Sequence, residues 1–144
     1  MEVVKTYINE LPAEALCIRT KVFVVEQGFK EEFDTVDKNC VHFVYYLDDL
    51  PIATARLYRS KEHKCLSIGR FAVLKEYRRH GIGRKLLAFI ERYVLDNYDE
   101  VLVGLSSQKR AVSFYESCHY HTIGDYYLDE YYPHIWMEKI IDEK

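Results

Sequence analysis

Eleven residues near the middle of the chain carry the clearest chemistry: Lys75-Glu76-Tyr77-Arg78-Arg79-His80-Gly81-Ile82-Gly83-Arg84-Lys85. Five cations and one acid give this segment +4 in a protein of net charge −3, so the other residues together carry −7. An apolar strand pattern precedes the segment and an amphipathic helix pattern follows it. The first N–H groups of a helix have no partner within it, and the helix dipole adds positive potential there, so a basic turn at this place suits a phosphate. Gly81 and Gly83 would let the backbone approach such a ligand with no Cβ in the way. A P-loop is excluded, because Gly83 is followed by Arg84-Lys85-Leu86 instead of Lys-Ser/Thr. A dinucleotide fingerprint fails as well, since Leu86 stands where the third small residue is needed.

The remaining chemistry-bearing residues are dispersed. Glu26, Asp34, Asp37, His42 and His134 are candidate proton acceptors, and the two histidines have the intrinsic pKa best suited to that work. Arg70 lies inside the apolar run Ile68–Leu74. A charge there needs a partner if buried. Glu26 or Asp37 would supply one inside the protein, and a carboxylate or phosphate on a substrate would supply one from outside. Glu26 to Asp37 holds five acids and one lysine, net −4, which would attract a cationic amine or form a solvated loop. Cys118 lies near His119 and His121, but closeness in sequence does not supply the geometry of an activated thiol. Cys17, Cys40, Cys65 and Cys118 form no CxxC pair, so neither a zinc site nor a disulfide framework is expected.

These residues need a scaffold, and the chain reads as one domain over its 144 residues. It is 49% hydrophobic and 15% aromatic, with no low-complexity tract, repeat, signal segment or membrane-length apolar run. Val3–Ile8 reads as a strand. A helical stretch opens near Asn9 and Pro12 and closes at Gly28, followed by a polar, irregular stretch to Cys40. Val41–Leu47, Leu50–Tyr58 and Cys65–Leu74 read as an antiparallel meander, with turns at Asp48-Asp49 and Ser60–Lys64. Gly81–Tyr98 has helical spacing of Ile82, Leu86, Leu87, Phe89, Ile90, Tyr93 and Val94. Val101–Leu105 reads as a strand and Gln108–Ser117 as a helix. Two late strands, Thr122–Tyr127 and Ile135–Ile141, would turn at Pro133. The fold class is mixed α/β or α+β with one central sheet.

With these elements in place, several motifs in chain order resemble the GNAT superfamily of acyl-CoA-dependent N-acetyltransferases. Ile68-Gly69-Arg70-Phe71-Ala72-Val73 resembles the strand before its pyrophosphate loop, and Arg78-x-x-Gly81-x-Gly83 the loop itself. Gln108-x-x-Ala111-x-x-Phe114-Tyr115-Glu116 is similar to its later helix motif. Gln108 stands where Asn is commoner and Cys118 where Gly is. Arg19-x-x-Val22-Phe23, Asp34-x-x-Asp37-x-x-x-x-His42 and Pro133-His134-x-x-Met137 resemble the ElaA-like subgroup.

The resemblance implies a mixed, mostly antiparallel sheet flanked by helices and splayed between the strands at Cys65–Leu74 and Val101–Ser106. Acetyl-CoA would be the cosubstrate, with no metal. Its pantetheine arm would pair with Phe71, Ala72 and Val73, and its diphosphate would sit on Arg78, Arg79, His80, Gly81, Ile82, Gly83 and Arg84, with Gln108 and Phe114 nearby. Tyr115 takes the family's position for the donor to the departing sulfur. His134 and Glu26 would be further catalytic groups, and Glu26, Asp37, His42 and Arg70 would bind the acceptor. The implied acceptor is a small-molecule amine attacked directly in a ternary complex. A cytoplasmic protein is expected, with no nucleic-acid or membrane partner, and a homodimer through the late strands fits the analogy. The competing class is a catalytically silent CoA-binding module. Turnover of acetyl-CoA with an amine panel separates the two.

Overall fold

The computed structural model describes residues 1–30 and 34–142. Its centre is a seven-stranded sheet of β1 (Glu2–Ile8), β2 (Val41–Leu47), β3 (Leu50–Ser60), β4 (Cys65–Val73), β5 (Leu102–Gln108), β6 (His121–Asp129) and β7 (Tyr132–Ile140). The spatial order is β1-β2-β3-β4-β5-β7-β6, antiparallel except for the β4–β5 pair. Helices α1 (Ala13–Arg19), α2 (Ile82–Asn97) and α3 (Val112–Ser117) flank it. Among the described residues, no helix is long and apolar enough to cross a membrane.

Strand alternation sends side chains to two faces, and each face buries its own cluster. Phe43, Tyr45, Ala53, Ala55 and Leu57 pack with Ile82, Leu86, Leu87, Ile90 and Val94 of α2. Val44, Tyr46 and Ala72 pack with Ala15, Ile18 and Val22 of the first helical stretch. The helices thus cover opposite faces of β2–β4, and whatever lies between β4 and β5 can be reached from both.

The β4–β5 pair is where the sheet opens. Its register holds only from Leu66↔Val103 to Ile68↔Leu105, and then the strands part. Beyond that point β4 pairs only with β3, through a bulge: Thr54 faces Ala72 and Arg56 faces Gly69, leaving both Arg70 and Phe71 opposite Ala55. Arg70 takes a left-handed φ of 47° at this bulge. The expected splay is present, and the bulge bends the strand where Phe71–Val73 line the gap.

Several boundaries differ from the sequence expectation. The late turn falls at Glu130 and Tyr131, and Pro133 lies inside β7 opposite Leu128. Pro133 is tolerated because β5 ends at the next register step, Gln108↔His134, so it needs to donate to no second neighbour. Gln108 ends β5 and does not begin a helix; a short 3-10 turn at Lys109–Ala111 precedes α3. The first helix passes into a π-helical segment, Thr20–Glu26, and the chain leaves it at Gly28 with φ 78°. The polar stretch after it contains a 3-10 turn, Thr35–Lys38, closed by a capping box between Asp34 and Asp37.

Candidate active site

A cavity of about 770 Å³ fills the gap between β4 and β5. Phe71, Ala72 and Val73 form one wall, and Gln108, Phe114 and Tyr115 the other. The turn before α2 closes one end with Arg78, Arg79, Gly81, Ile82, Gly83 and Arg84. His80 lies exposed in the same turn, outside the cavity wall.

The turn is built to leave amides free. Gly81 caps α2 with φ 78°, and no side chain accepts from the first turn. The first bond closed inside the helix is Lys85 N–H to the Gly81 carbonyl at 3.0 Å, so the Ile82, Gly83 and Arg84 amides have no helical acceptor. Arg79 is also left-handed, φ 67°. The two glycines do different work. A Cβ on Gly81 would meet nothing within 4 Å, so its backbone angle is what demands glycine. A Cβ on Gly83 would lie 3.2 Å from Phe114 Cζ, so there glycine also admits the wall aromatic.

Two of the turn's arginines are committed within the protein. Arg78 grips Glu26 with both terminal nitrogens, 2.6 and 2.7 Å, and its Nε donates to the Val73 carbonyl at 2.9 Å. Arg84 donates to Ser117 Oγ and the Ser117 carbonyl, 2.9 and 3.2 Å, tying α2 to the end of α3. The bond from Arg78 holds the Glu26 carboxyl below the usual range, and Glu26 does not line the cavity. It is a strut between the π-helical segment and the turn, which makes it a poor proton acceptor.

Tyr115 lies at the gap, edge-to-face with Phe71, Phe114 and Tyr120. Burial pushes its phenol far above the ordinary value, so it is a proton donor throughout the neutral range. Its hydroxyl has no hydrogen-bond partner among the described residues. His134 lines the cavity from β7, among Phe29, Tyr127 and Tyr132. Its Nδ1 lies 2.9 Å from the Tyr132 carbonyl, which can only accept, so Nδ1 is the donor and Nε2 is the nitrogen that holds the lone pair whenever the ring is neutral.

Asp37 and His42, expected at the acceptor, do not line the cavity. Asp37 is 2% exposed; Arg19 holds both its oxygens at 2.8 and 3.0 Å, and Arg56 adds a third bond at 2.9 Å. Burial opposes its ionisation most strongly, but the Arg19 guanidinium, the Asp34 N–H and the Arg56 charge together outweigh it and hold the carboxyl at about 2. His42 Nε2 donates to the Asp37 carbonyl at 2.8 Å, and burial lowers its pKa. Cys40 Sγ lies 3.3 Å from the same nitrogen, and burial pushes that thiol up to about 11. Asp37, Cys40 and His42 bring their donor atoms within 4.8 Å of one another. Two guanidiniums on the carboxylate make the spot unfavourable to a cation, and the raised thiol pKa makes it a poor nucleophile.

Arg70 lines the cavity and reaches Asp34 at 3.4 Å; neither of its expected partners is open to it, since Glu26 holds Arg78 and Asp37 holds Arg19 and Arg56. Three of the five acids counted between Glu26 and Asp37 are thus paired with arginine, while Glu31 and Glu32 lie outside the described residues. Cys118 is a buried core residue away from the cavity wall. Sequence reasoning missed Arg56, Tyr58, Gly69, Gln27 and Phe29, all on the wall of the gap. The charge of Arg56 inside an apolar strand was a readable signal, the same one that singled out Arg70. Gln27 is fixed by Gln108, whose Nε2 donates to its Oε1 at 2.8 Å.

Comparison with known proteins agrees with this arrangement. The family model described as an acetyltransferase (GNAT) domain matches residues 9–141. A Bacillus subtilis (strain 168) protein provisionally named an acetyltransferase is 34% identical over 127 residues, covering 85% of this chain and 84% of that one. Escherichia coli ElaA superposes with a TM-score of 0.85 at 25% identity, covering 96% of this chain and 99% of that one. A Lactobacillus plantarum crystal structure provisionally named an N-acetyltransferase gives 0.83 at 32% identity, covering 96% and 98%. A splayed sheet with a phosphate-ready helix start, and a family model matched over nearly the whole chain, lead to one conclusion: this chain belongs to the GNAT acetyltransferase domain family.

Proposed function

We propose that the protein transfers an acetyl group from acetyl-CoA to a primary amine by direct attack within a ternary complex. The observation that carries this reading is the gap between β4 and β5, bounded at one end by the uncapped start of α2. The Ile82, Gly83 and Arg84 amides, with Arg79 beside them, hold the diphosphate. The pantetheine arm lies along Phe71–Val73 as an added strand, using backbone that β5 leaves unpaired. The acceptor comes from the opposite face, where His134 stands.

Three requirements follow from acetyl transfer. The amine must lose a proton, and His134 Nε2, directly or through one water, has the free lone pair to take it. The carbonyl oxygen must be stabilised as charge develops, and a backbone N–H near Val73 serves at the bulged edge. The leaving thiolate must be stabilised, and Tyr115 is a neutral hydrogen-bond donor to the sulfur with no competing acceptor among the described residues.

Replacing Tyr115 with Phe tests the assignment. The expected result is a fall in kcat of about 100-fold or more with the acetyl-CoA KM little changed. A variant that turns over like the parent protein removes Tyr115 from the chemistry. Tight acetyl-CoA binding by the parent protein, with no thiol release on any amine, favours the silent module.

A further inference from the structure

We propose that the acceptor is an amine whose far end carries an anionic group, and that Arg56, on the cavity wall beside Gly69 and flanked by Arg70, is the seat of that group. This rests on the acetyltransferase reading and names the acceptor's class within it.

Arg56 is 4% exposed yet lines the cavity. Its terminal nitrogens are committed: Nη1 to Asp34 at 2.7 Å and Asp37 at 2.9 Å, Nη2 to Asp34 at 3.1 Å. Its Nε is buried and has no hydrogen-bond partner among the described residues. An unpaired donor on a buried cation is costly, and it is retained where a ligand completes it.

Gly69 faces Arg56 across the β3–β4 ladder, so both residues point to the same face of the sheet, the face covered by α1. Its backbone is not left-handed, so conformation does not demand glycine here. Space does. A Cβ at this position would crowd the Tyr58 ring at 3.2 Å and stand 3.5 Å from Arg56 Nε, adding bulk between that nitrogen and the cavity. Arg70, next in the chain, brings a second guanidinium to the same wall at the bulge.

His134 is on the α1 face too, because its neighbours Ile135 and Met137 alternate with it and Ile135 and Met137 belong to the α2-side core. The acceptor's amine and anion are therefore served from one face, with His134 at the amine and Arg56 at the anion. Asp129 at the end of β6 and Glu130 in the turn after it, both exposed, put negative charge on the cavity rim and suit the ammonium form before it loses its proton. The two poles together describe a zwitterion. Guanidinium chemistry accepts either a carboxylate or a phosphate.

Matched amines test this by thiol release: 4-aminobutyrate against n-butylamine, and O-phosphoethanolamine against ethylamine. The expected result is a kcat/KM about tenfold or more higher for the anionic member of at least one pair, the winning pair telling carboxylate from phosphate. Gly69→Ala should collapse that preference toward unity, checked on protein whose thermal melt shows it folded. Equal use of charged and uncharged members overturns the proposal, as does a preference that survives Gly69→Ala. If no amine is turned over, calorimetry on CoA-saturated protein decides: tighter binding of 4-aminobutyrate or O-phosphoethanolamine than of its uncharged partner supports the seat, and no difference overturns it. Acetyl-CoA that fails to bind at all is the separate failure of the acetyltransferase reading.

Discussion

Two arginine-rich regions lie a short distance apart and behave in opposite ways. In the cluster of Arg19, Arg56, Asp34 and Asp37, the carboxylates are closed by guanidiniums and the side chains of Arg19 and Asp37 are almost fully buried. In the turn before α2, Arg78 and Arg84 are braced against Glu26 and Ser117, and the amides of the helix start are left open. The first region uses charge to hold the loop after α1 onto the sheet. The second uses charge to hold a backbone shape, and that shape leaves the first amides of α2 without a helical acceptor. A count of arginines, or of the bonds each makes, cannot tell these roles apart; the closed carboxylates beside one set and the open amides beside the other can.

The largest effect should come from opening the closed region. Asp37→Asn leaves Arg19 with a neutral partner in a dry site and should cost about 3–5 kcal/mol in a urea melt. Acid should act on the same group. A carboxyl held at about 2 contributes stability that is complete above its unfolded value near ~3.9 and is lost as pH falls through that window. The parent protein should therefore lose stability between about pH 4 and pH 2, with a shallower slope in Asp37→Asn. An unchanged slope would assign the acid limb to other groups.

The open region should respond in binding. Gly81→Val forces a β-branched residue to φ 78° and should weaken acetyl-CoA by about tenfold, from a conformational cost of about 1–2 kcal/mol. Glu26→Gln should change acetyl-CoA affinity by less than about fivefold, since a partly exposed ion pair contributes about 1 kcal/mol at most. A larger loss would make that strut part of the ligand's seat. The smallest effect should be that of Cys118→Ala, with turnover within roughly twofold, because no acyl-enzyme on sulfur is needed. Loss of most activity would contradict direct transfer.

Much of this was legible in the residues. The meander, α2 and the basic turn announced themselves through alternation, helical spacing and paired glycines, which are local properties. Tyr115 and His134 reach the same cavity although nothing local connects them; the motif order pointed to both. Asp37 and His42 were misplaced because a lone acid or histidine in sequence carries no record of its partners, and Arg19 and Arg56 come from elements far along the chain. Pro133 was misread as a turn because its tolerance inside β7 depends on where β5 ends. The two glycines of the turn looked equivalent, and only the approach of Phe114 separated them.

The central claim is that main-chain amides at the start of α2 hold the cofactor's diphosphate. Titrating acetyl-CoA into ¹⁵N-labelled protein and following backbone amide shifts tests it directly. The Ile82, Gly83 and Arg84 amides should show the largest changes in the spectrum, with those of Asp37 and His42 nearly still. Saturable acetyl-CoA binding that leaves those three amides in place would contradict the account.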